Sequence, residues 1–473
     1  MLTTLKLKIL YINDLHSRFE VFSKVASVIE ELREDNTLIF DAGDSYDEWR
    51  IEAIGTKGKI SSDLLNEVGF SARVIGNTEG FSGKETLERI SQSSNFPIIT
   101  CNIYDLKGEK IEYLKDYHIF EVESLKILVI GVTGAFNVFY NLFNIHIGDP
   151  IQEIKRVLSD IEKTEFNLLI ILSHLGLNQD KMMANMIPNI DIIIGGHSHD
   201  ALKDCLLENG TIICQAGQYG EFVGELLIEY DKDKKKIKHF SNNLVLVSQF
   251  QEHQKINTIL SKSSKLAIKN MSQNLFKIKT EISHSFTEES ELGNLLADAL
   301  KHFLKSDFGL INSGVLNHSI KNEDITKLIL HEVCPSPLNP TLVEIKGSDI
   351  LLTLEKSLLE DYQLRNGAGA GFRGSTLGNI QVSNNVKVFY NPNNPPLSKI
   401  ISMKINKKPI NRFKWYKVAT SDYLQRGSGY NDFANCRNEK YRPEFLRDLL
   451  EIYLKRNRFL KLSLKKRFLK IDK

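Results

Sequence analysis

The stretch DIIIGGHSH, residues 191–199, reads as a short buried strand that runs into two glycines and then delivers His197 and His199. The same arrangement recurs along the first 220 residues. LKILYIN precedes Asp14 and His16, NTLIFDAG precedes Asp44, SARVIGN ends on Asn77 and NLLIILSH ends on His174. FPIITCN, LKILVIGVTG and TIICQAG are further apolar runs of strand length. All are rich in β-branched residues, as buried strands are. Between them lie helical stretches, at Glu20 to Arg33, Ser62 to Val68, Gly83 to Ser91 and Ile151 to Glu165. Strands alternating with helices predict an α/β layered domain. In open α/β sheets ligands bind beyond the carboxyl ends of the strands, where every polar residue just named falls.

Each of these side chains alone has a bland reading. A strand-terminal Asp or Asn often caps a helix, and a single His is usually only hydrogen-bonded. Together they do not, because five strand ends in order deliver metal-ligand types and use four of the twelve histidines. In an extended segment residues i and i+2 share a face, so Asp14 and His16 are expected to point the same way. Gly43 permits a tight turn that holds Asp44 above its strand. The mixed nitrogen and oxygen set suits two divalent ions, Mn²⁺, Zn²⁺ or Fe, rather than Ca²⁺. Two ions a few ångströms apart need one shared carboxylate, and Asp44 is the natural bridge. The chemistry of such a pair is in-line attack of a metal-activated hydroxide on phosphorus.

A chain of 473 residues predicts two to three domains. With 42% apolar and 25% charged residues and a net charge of +2, it reads as globular, without a global bias toward nucleic acid or membrane. No run approaches a membrane span, and Leu5 to Ile12 is too short and too charged for a signal peptide. The five cysteines are scattered and odd in number, which predicts reduced thiols in a cytoplasmic protein. The organisation expected is residues 1–247 as the first domain, 248–277 as a linker helix and 278–473 as the second. The basic tail from Leu454 reads as an amphipathic helix packed on its own domain; an acidic membrane surface or RNA is the alternative. Oligomeric state is left open.

The order Asp-x-His, Gly-Asp, Gly-Asn, His, Gly-Gly-His-x-His resembles the calcineurin-like metallophosphoesterases, and more closely the 5′-nucleotidase family. CQAGQYGEFVGEL, ESELGNLLADAL, FGLINSGVLN, LVEIKGSDILLTLEKSL and YKVATSDYLQRGSGY look like further blocks of that family, so the likeness runs nearly end to end. It implies a layered β-sandwich flanked by helices, followed by a smaller α+β domain that presents substrate in a cleft between the two. It also implies one metal on Asp14, His16, Asp44 and His199 and the other on Asp44, Asn77, His174 and His197. The implied reaction is hydrolysis of a nucleotide or another small phosphoester, with no sequence-specific nucleic acid as partner. A phosphodiesterase or nucleotide-sugar diphosphatase is the alternative on the same site, and a catalytically weak nucleotide-binding protein is the alternative outside enzymes.

The sequence departs from the family where charge is needed. The family's Gly-Asn-His-Glu, with an Asp two residues on, here reads Gly76-Asn77-Thr78-Glu79-Gly80-Phe81. Thr78 and Phe81 take the dyad positions, and a lost cationic donor is worth about 10²–10³ in rate. His318 or an Arg of the 365–373 loop is a candidate substitute, unless the enzyme is slow or has lost turnover. The family's phosphate-binding Arg falls at Asn317, with Lys321 one helical turn on as an alternative cation. Arg365 and Arg373 flank the glycine-rich NGAGAGFRG loop, which reads as an anion cradle or a plain surface loop. Of two base-clamping rings, Tyr423 matches one and Val382 replaces the other, while Asn384 matches a base-contacting residue.

Overall fold

The computed structural model describes residues 4–367, 369 and 371–471. They form two compact units that divide between Ala267 and Ile268, with helix Gln254–Met271 spanning the boundary. In the first unit, strand Thr4–Ile12 is the middle of a five-stranded sheet. It runs antiparallel to Phe222–Asp231 and parallel to Thr37–Asp41, with Lys236–Leu246 and Ala72–Arg73 at the edges. A second, six-stranded sheet has the order Leu206–Glu208, Thr211–Cys214, Ile192–Gly195, Leu168–His174, Leu125–Thr133, Tyr117–Val122.

Strand alternation decides what each face of these sheets buries. Ile9, Tyr11 and Phe40 of the first sheet share one core with Ile127, Ile170 and Ile192 of the second. The opposite face of the first sheet, with Leu10, Ile12 and Ile39, packs under helices Phe19–Leu32 and Lys59–Val68. Likewise Leu128, Ile130 and Ile171 of the second sheet pack under Pro150–Asp160 and Leu177–Met186. Both faces of both sheets are covered, which is why the strands read as nearly continuous apolar runs. FPIITCN is the exception and makes only isolated bridges, because its backbone partners are divided between the sheets. Ile99 N–H donates to Arg73 O, and Cys101 N–H to Gly131 O.

The second unit is α+β. Its five-stranded sheet has the order Ile380–Val382, Phe308–Asn312, Trp415–Ser421, Pro340–Lys346, Arg437–Tyr441, and helix Glu291–Leu304 buries Leu295, Leu296 and Ala299 in the core beside it. A four-stranded sheet carries Lys408–Pro409, Ile400–Ile405, Val386–Tyr390 and Phe468–Lys470.

Two expectations from the sequence are corrected. Cys205 and Cys214 are joined in a disulfide, so the chain does not hold five free thiols. They lie equally far from the Asn209-Gly210 turn, both of whose residues have positive φ, and the strand register sets them opposite each other. The cytoplasmic expectation rested on the signal-peptide reading as well as on reduced thiols, and only the second ground is weakened, since such bridges persist in oxidising surroundings. The basic tail is the second correction. It is a short helix, Asn457–Ser463, followed by strand Phe468–Lys470, which pairs in parallel with Val386–Tyr390. Arg467 is fully buried, donating to Asp298 Oδ2 at 2.7 Å, to Asn294 O at 2.9 Å and to Val382 O. Burial raises the Asp298 carboxyl pKa and lowers that of Arg467, while each partner's charge opposes the shift. Arg467→Met strands a buried carboxylate and should cost about 3–5 kcal/mol. The exposed Lys465→Ala should cost under about 0.5 kcal/mol. Urea midpoints of the two variants check the difference.

Candidate metal centre

Both sheets of the first unit deliver side chains from the carboxyl ends of their strands. Asp14 and His16 follow Ile12, Asp44 follows Asp41, Asn77 opens the turn of helix Asn77–Phe81, His174 ends its strand, and His197 and His199 follow Gly195. Their atoms converge in two groups, Asp14 with His16 and His199, and Asp44 with His174 and His197. In the first, His199 Nε2 lies 3.3 Å from Asp14 Oδ1 and 3.3 Å from His16 Nε2. In the second, His174 Nε2 lies 3.3 Å from Asp44 Oδ2, and His197 Nδ1 lies 2.8 Å from Asn77 Oδ1. Asp44 Oδ2 is also 3.7 Å from His16 Nε2, which puts one carboxylate oxygen between the groups.

The backbone here differs from the extended segment expected for Asp14 and His16. Asp14 (φ 51°), His16 (47°), Asp44 (55°), His197 (74°) and His199 (63°) are all left-handed. Asp14 and His16 converge because the chain coils after Ile12, not because a strand alternates. Such residues cost of order 1–3 kcal/mol each and collect at ligand clamps. Two glycines give the ligands room. A Cβ on Gly43 would come within 2.7 Å of His174 Nδ1, and one on Gly76 would run into the Asp44 carboxylate.

The donor set fits cations. Asp14 Oδ2 accepts from Asn13 Nδ2 at 2.7 Å and His197 N at 2.8 Å, yet the buried Asp14 Oδ1 accepts no hydrogen bond among the described residues. His174 Nδ1 meets Ala42 O at 2.8 Å, and the buried Nε2 makes no hydrogen bond either, its contact being Asp44 Oδ2 3.3 Å away. Buried polar atoms are rarely left unpaired, and these two face the converging ligands. Burial opposes the charged form of His174, but the Asp44 and Asp14 carboxylates outweigh it and push its pKa up to about 10. Burial also works against the Asp44 carboxylate, whose pKa is nonetheless held well below the usual range by His174 and His16. His197 is pulled down to about 4 by burial and by the His174 charge.

Several supporting residues escape a reading of the sequence. Glu79 is fully buried and accepts from Asp44 N, Tyr46 N and Gly76 N at 2.9–3.1 Å while pairing with Arg73 at 2.6 Å. Asp47 Oδ2 is 3.5 Å from His16 Nδ1, placed to orient the ring. Asn13 joins two loops, donating to Asp14 Oδ2 and Gly217 O and accepting from Ala216 N. Glu79 is the Glu of the Gly-Asn-Thr-Glu stretch, while Asn13 and Asp47 are signalled only by proximity to a ligand: Asn13 precedes Asp14, and Asp47 follows Asp44 in GDSYD.

Chain segments of this length and order already have known counterparts. The profile of the calcineurin-like phosphoesterases matches residues 7–201, and that of the 5′-nucleotidase C-terminal domain matches residues 268–435. The metallophosphoesterase YunD of Bacillus subtilis is 30% identical, over 94% of this chain and 98% of its own. The chain belongs to the calcineurin-like metallophosphoesterases of the 5′-nucleotidase family. A 5′-nucleotidase of Vibrio cholerae is 27% identical over 80% of this chain and 81% of its own. Among solved structures, the NAD nucleotidase of Haemophilus influenzae superimposes with a TM-score of 0.69 at 17% identity, covering 99% of this chain and 98% of that one. The 5′-nucleotidase precursor of Thermus thermophilus gives 0.58 at 20% identity, covering 99% and 100%. At those identities the structures speak for the fold alone. Members of the family are metal-dependent phosphoester hydrolases, and this metallophosphoesterase carries two candidate metal groups.

The positions where the sequence departs from the family are structurally occupied. Thr78 donates from its backbone N–H to Asp44 Oδ1 at 2.9 Å, and its hydroxyl lies against Asp44 Oδ1 and Tyr46 O. It therefore fixes a ligand's orientation. Phe81 packs against Phe139 and Tyr140 at 5.4 and 4.9 Å. In the second unit Asn317, His318 and Lys321 are exposed in a loop, so Lys321 is not one helical turn from Asn317. Asn317 Nδ2 donates to Glu332 O at 3.2 Å, and His318 Nδ1 meets Ser319 O at 2.9 Å. Arg365 stacks 3.5 Å over Tyr362, and Arg373 donates to Phe372 O at 3.2 Å. Ala368 and Ala370 of that loop lie outside the described residues. Asn384 is half-buried, its N–H on Asp298 Oδ1 at 2.7 Å. Tyr423 and Val382 are fully buried, and Phe372 stacks on Tyr423 at 4.7 Å, so that ring has no open face for a base in this conformation.

Proposed function

We propose that this chain hydrolyses the phosphate esters of nucleotides, 5′-monophosphates first, with the reacting phosphoryl group lodged between the two ligand groups. Asp14 Oδ1 and His174 Nε2, buried, without a hydrogen bond and each 3.3 Å from another ligand atom, carry the reading. One ion would sit on Asp14, His16, Asp44 and His199, the other on Asp44, Asn77, His174 and His197, with Asp44 shared. When bound, such ions polarise phosphoryl oxygens and acidify water. Asp47 orients His16, Thr78 and Glu79 fix the Asp44 loop, and Asn13 fixes Asp14. Hydrolysis joins a water oxygen to phosphorus and expels the alcohol, which takes up a proton.

Because Thr78 is committed to Asp44 and Phe81 to an apolar cluster, neither supplies a cation to the leaving group. Esters with good leaving groups should therefore turn over fastest. Asn317, His318, Lys321, Arg365 and Arg373, with Asn384, are the proposed substrate contacts of the second unit; Tyr423 joins them only if Phe372 leaves its face. The test is a substrate panel run with metal analysis on the same full-length preparation. Two Mn²⁺ or Zn²⁺ ions per chain, with hydrolysis of an aryl phosphate and of nucleotides, is the expected result. Hydrolysis of neither would overturn the reading.

A further inference from the structure

A cation stands one ring away from the ligand group of Asp14, His16 and His199. The guanidinium carbon of Arg18 lies 4.7 Å from the ring centroid of Trp49 and 5.1 Å from that of Tyr219. Both rings are tied to the ligand loops. Trp49 Nε1 donates to His16 O at 2.7 Å, and Tyr219 N donates to Asp14 O at 2.7 Å. The Tyr219 ring is 5.7 Å from His16 and 6.2 Å from His199. Arg18 is anchored as well, through its N–H on Leu15 O and its carbonyl, which accepts from Val21 N.

Its charge is nevertheless only lightly engaged. Glu20 Oε1 is 3.6 Å away, beyond hydrogen-bonding distance, and Glu20 also pairs with Arg50 at 3.3 Å. The Arg18 side chain remains 37% exposed. Aromatic contacts on a guanidinium restrict its orientation and leave the N–H edge to receive an anion, for which that planar fork suits phosphate or carboxylate. The family's usual cationic positions hold Thr78 and Asn317 here, so this cation can take on charge recognition that they cannot.

We propose that the Trp49–Arg18–Tyr219 cluster is a subsite for a second anionic group of the substrate, carried on the leaving group past His16 and His199. The ligand class is a nucleotide phosphoanhydride, as in a nucleoside diphosphate: a water oxygen joins the terminal phosphorus, the P–O–P bond breaks, and the nucleoside monophosphate leaves carrying the second anionic group. The inference rests on the phosphoesterase reading for its chemistry, but its recognition step is separable.

Arg18→Met keeps the length and packing of the side chain and removes its charge. With Mn²⁺-loaded protein, kcat/KM for ADP should fall by about 10- to 100-fold, mainly through KM, as expected for one charge-assisted contact. For 4-nitrophenyl phosphate the fall should be less than about threefold, and Arg18→Lys should restore part of the ADP loss. Equal losses on both substrates, the mark of a merely structural role through Trp49 and His16, would overturn the proposal, as would no loss on ADP. A second readout needs no turnover. The chain has two tryptophans, so in a Trp415→Phe background the emission comes from Trp49 alone. Methylenediphosphonate should change that emission, and Arg18→Met should weaken the titration by the same factor. Arg18-dependent binding without hydrolysis of any ester would sink the phosphoesterase reading and leave the subsite standing. Hydrolysis with binding indifferent to Arg18 would do the reverse.

Discussion

Asp44→Asn is expected to lose bound metal and turnover together, with kcat down by more than about 10³-fold. Asp44 Oδ2 lies 3.3 Å from His174 Nε2 and 3.7 Å from His16 Nε2, so it is within reach of both ligand groups. A carboxamide has nearly the same shape and can still accept from Thr78 N–H through its oxygen. The loop should therefore keep its conformation while a neutral, partly hydrogen-bearing group faces the histidines. Each ion then loses an anionic ligand. Metal analysis beside single-turnover kinetics reads the loss. A variant that keeps two ions per chain and the wild-type rate would remove Asp44 from the bridging position.

The ligand set was legible in the sequence because each member sits just past an apolar run, and strand ends in a layered α/β domain lie at a common edge. The runs themselves were legible because both faces of both sheets are buried, so Leu168–His174 and Leu125–Thr133 carry almost no polar residue. What escaped depends on contacts distant in sequence or on backbone conformation. The left-handed coil at Asp14 and His16 is imposed by neighbouring loops: Asp14 N donates to Gly43 O and His16 N to Asp44 O. The strand at Phe468–Lys470 exists only because Val386–Tyr390 offers an edge some eighty residues away. The Cys205–Cys214 bridge was within reach, since an Asn-Gly turn at its midpoint fixes the register. The Phe372–Tyr423 stack was not, because it depends on where a glycine-rich loop comes to rest.

Glu79→Ala should be as damaging as the loss of a ligand, although Glu79 faces no metal. Its carboxylate is fully buried and performs two tasks at once. It pairs with Arg73, itself fully buried and 3.5 Å from Asp41, and it gathers the N–H groups of Asp44, Tyr46 and Gly76. Burial and the nearby Asp44 and Asp41 charges lift the Glu79 pKa to about 7 in spite of Arg73, so this carboxyl is held in place against its own electrostatics. Removing one partner of a buried pair costs about 3–5 kcal/mol, because the remaining charge has no solvent to turn to. Each buried N–H left without an acceptor adds about 1–3 kcal/mol where water cannot replace the oxygen. That total is a large part of the stability of a typical domain. The lost N–H contacts belong to Asp44 itself and to Gly76, the residue before Asn77, so the shared carboxylate and a second ligand of its group lose their anchorage. Glu79→Gln separates the two tasks: the amide oxygen still accepts N–H groups while the charge facing Arg73 is gone. The expected order of unfolding midpoints is wild type, then Glu79→Gln, then Glu79→Ala, with metal content falling in the same order. If Glu79→Ala melts with the wild type and binds two ions, the Asp44 loop is held by something other than this carboxylate.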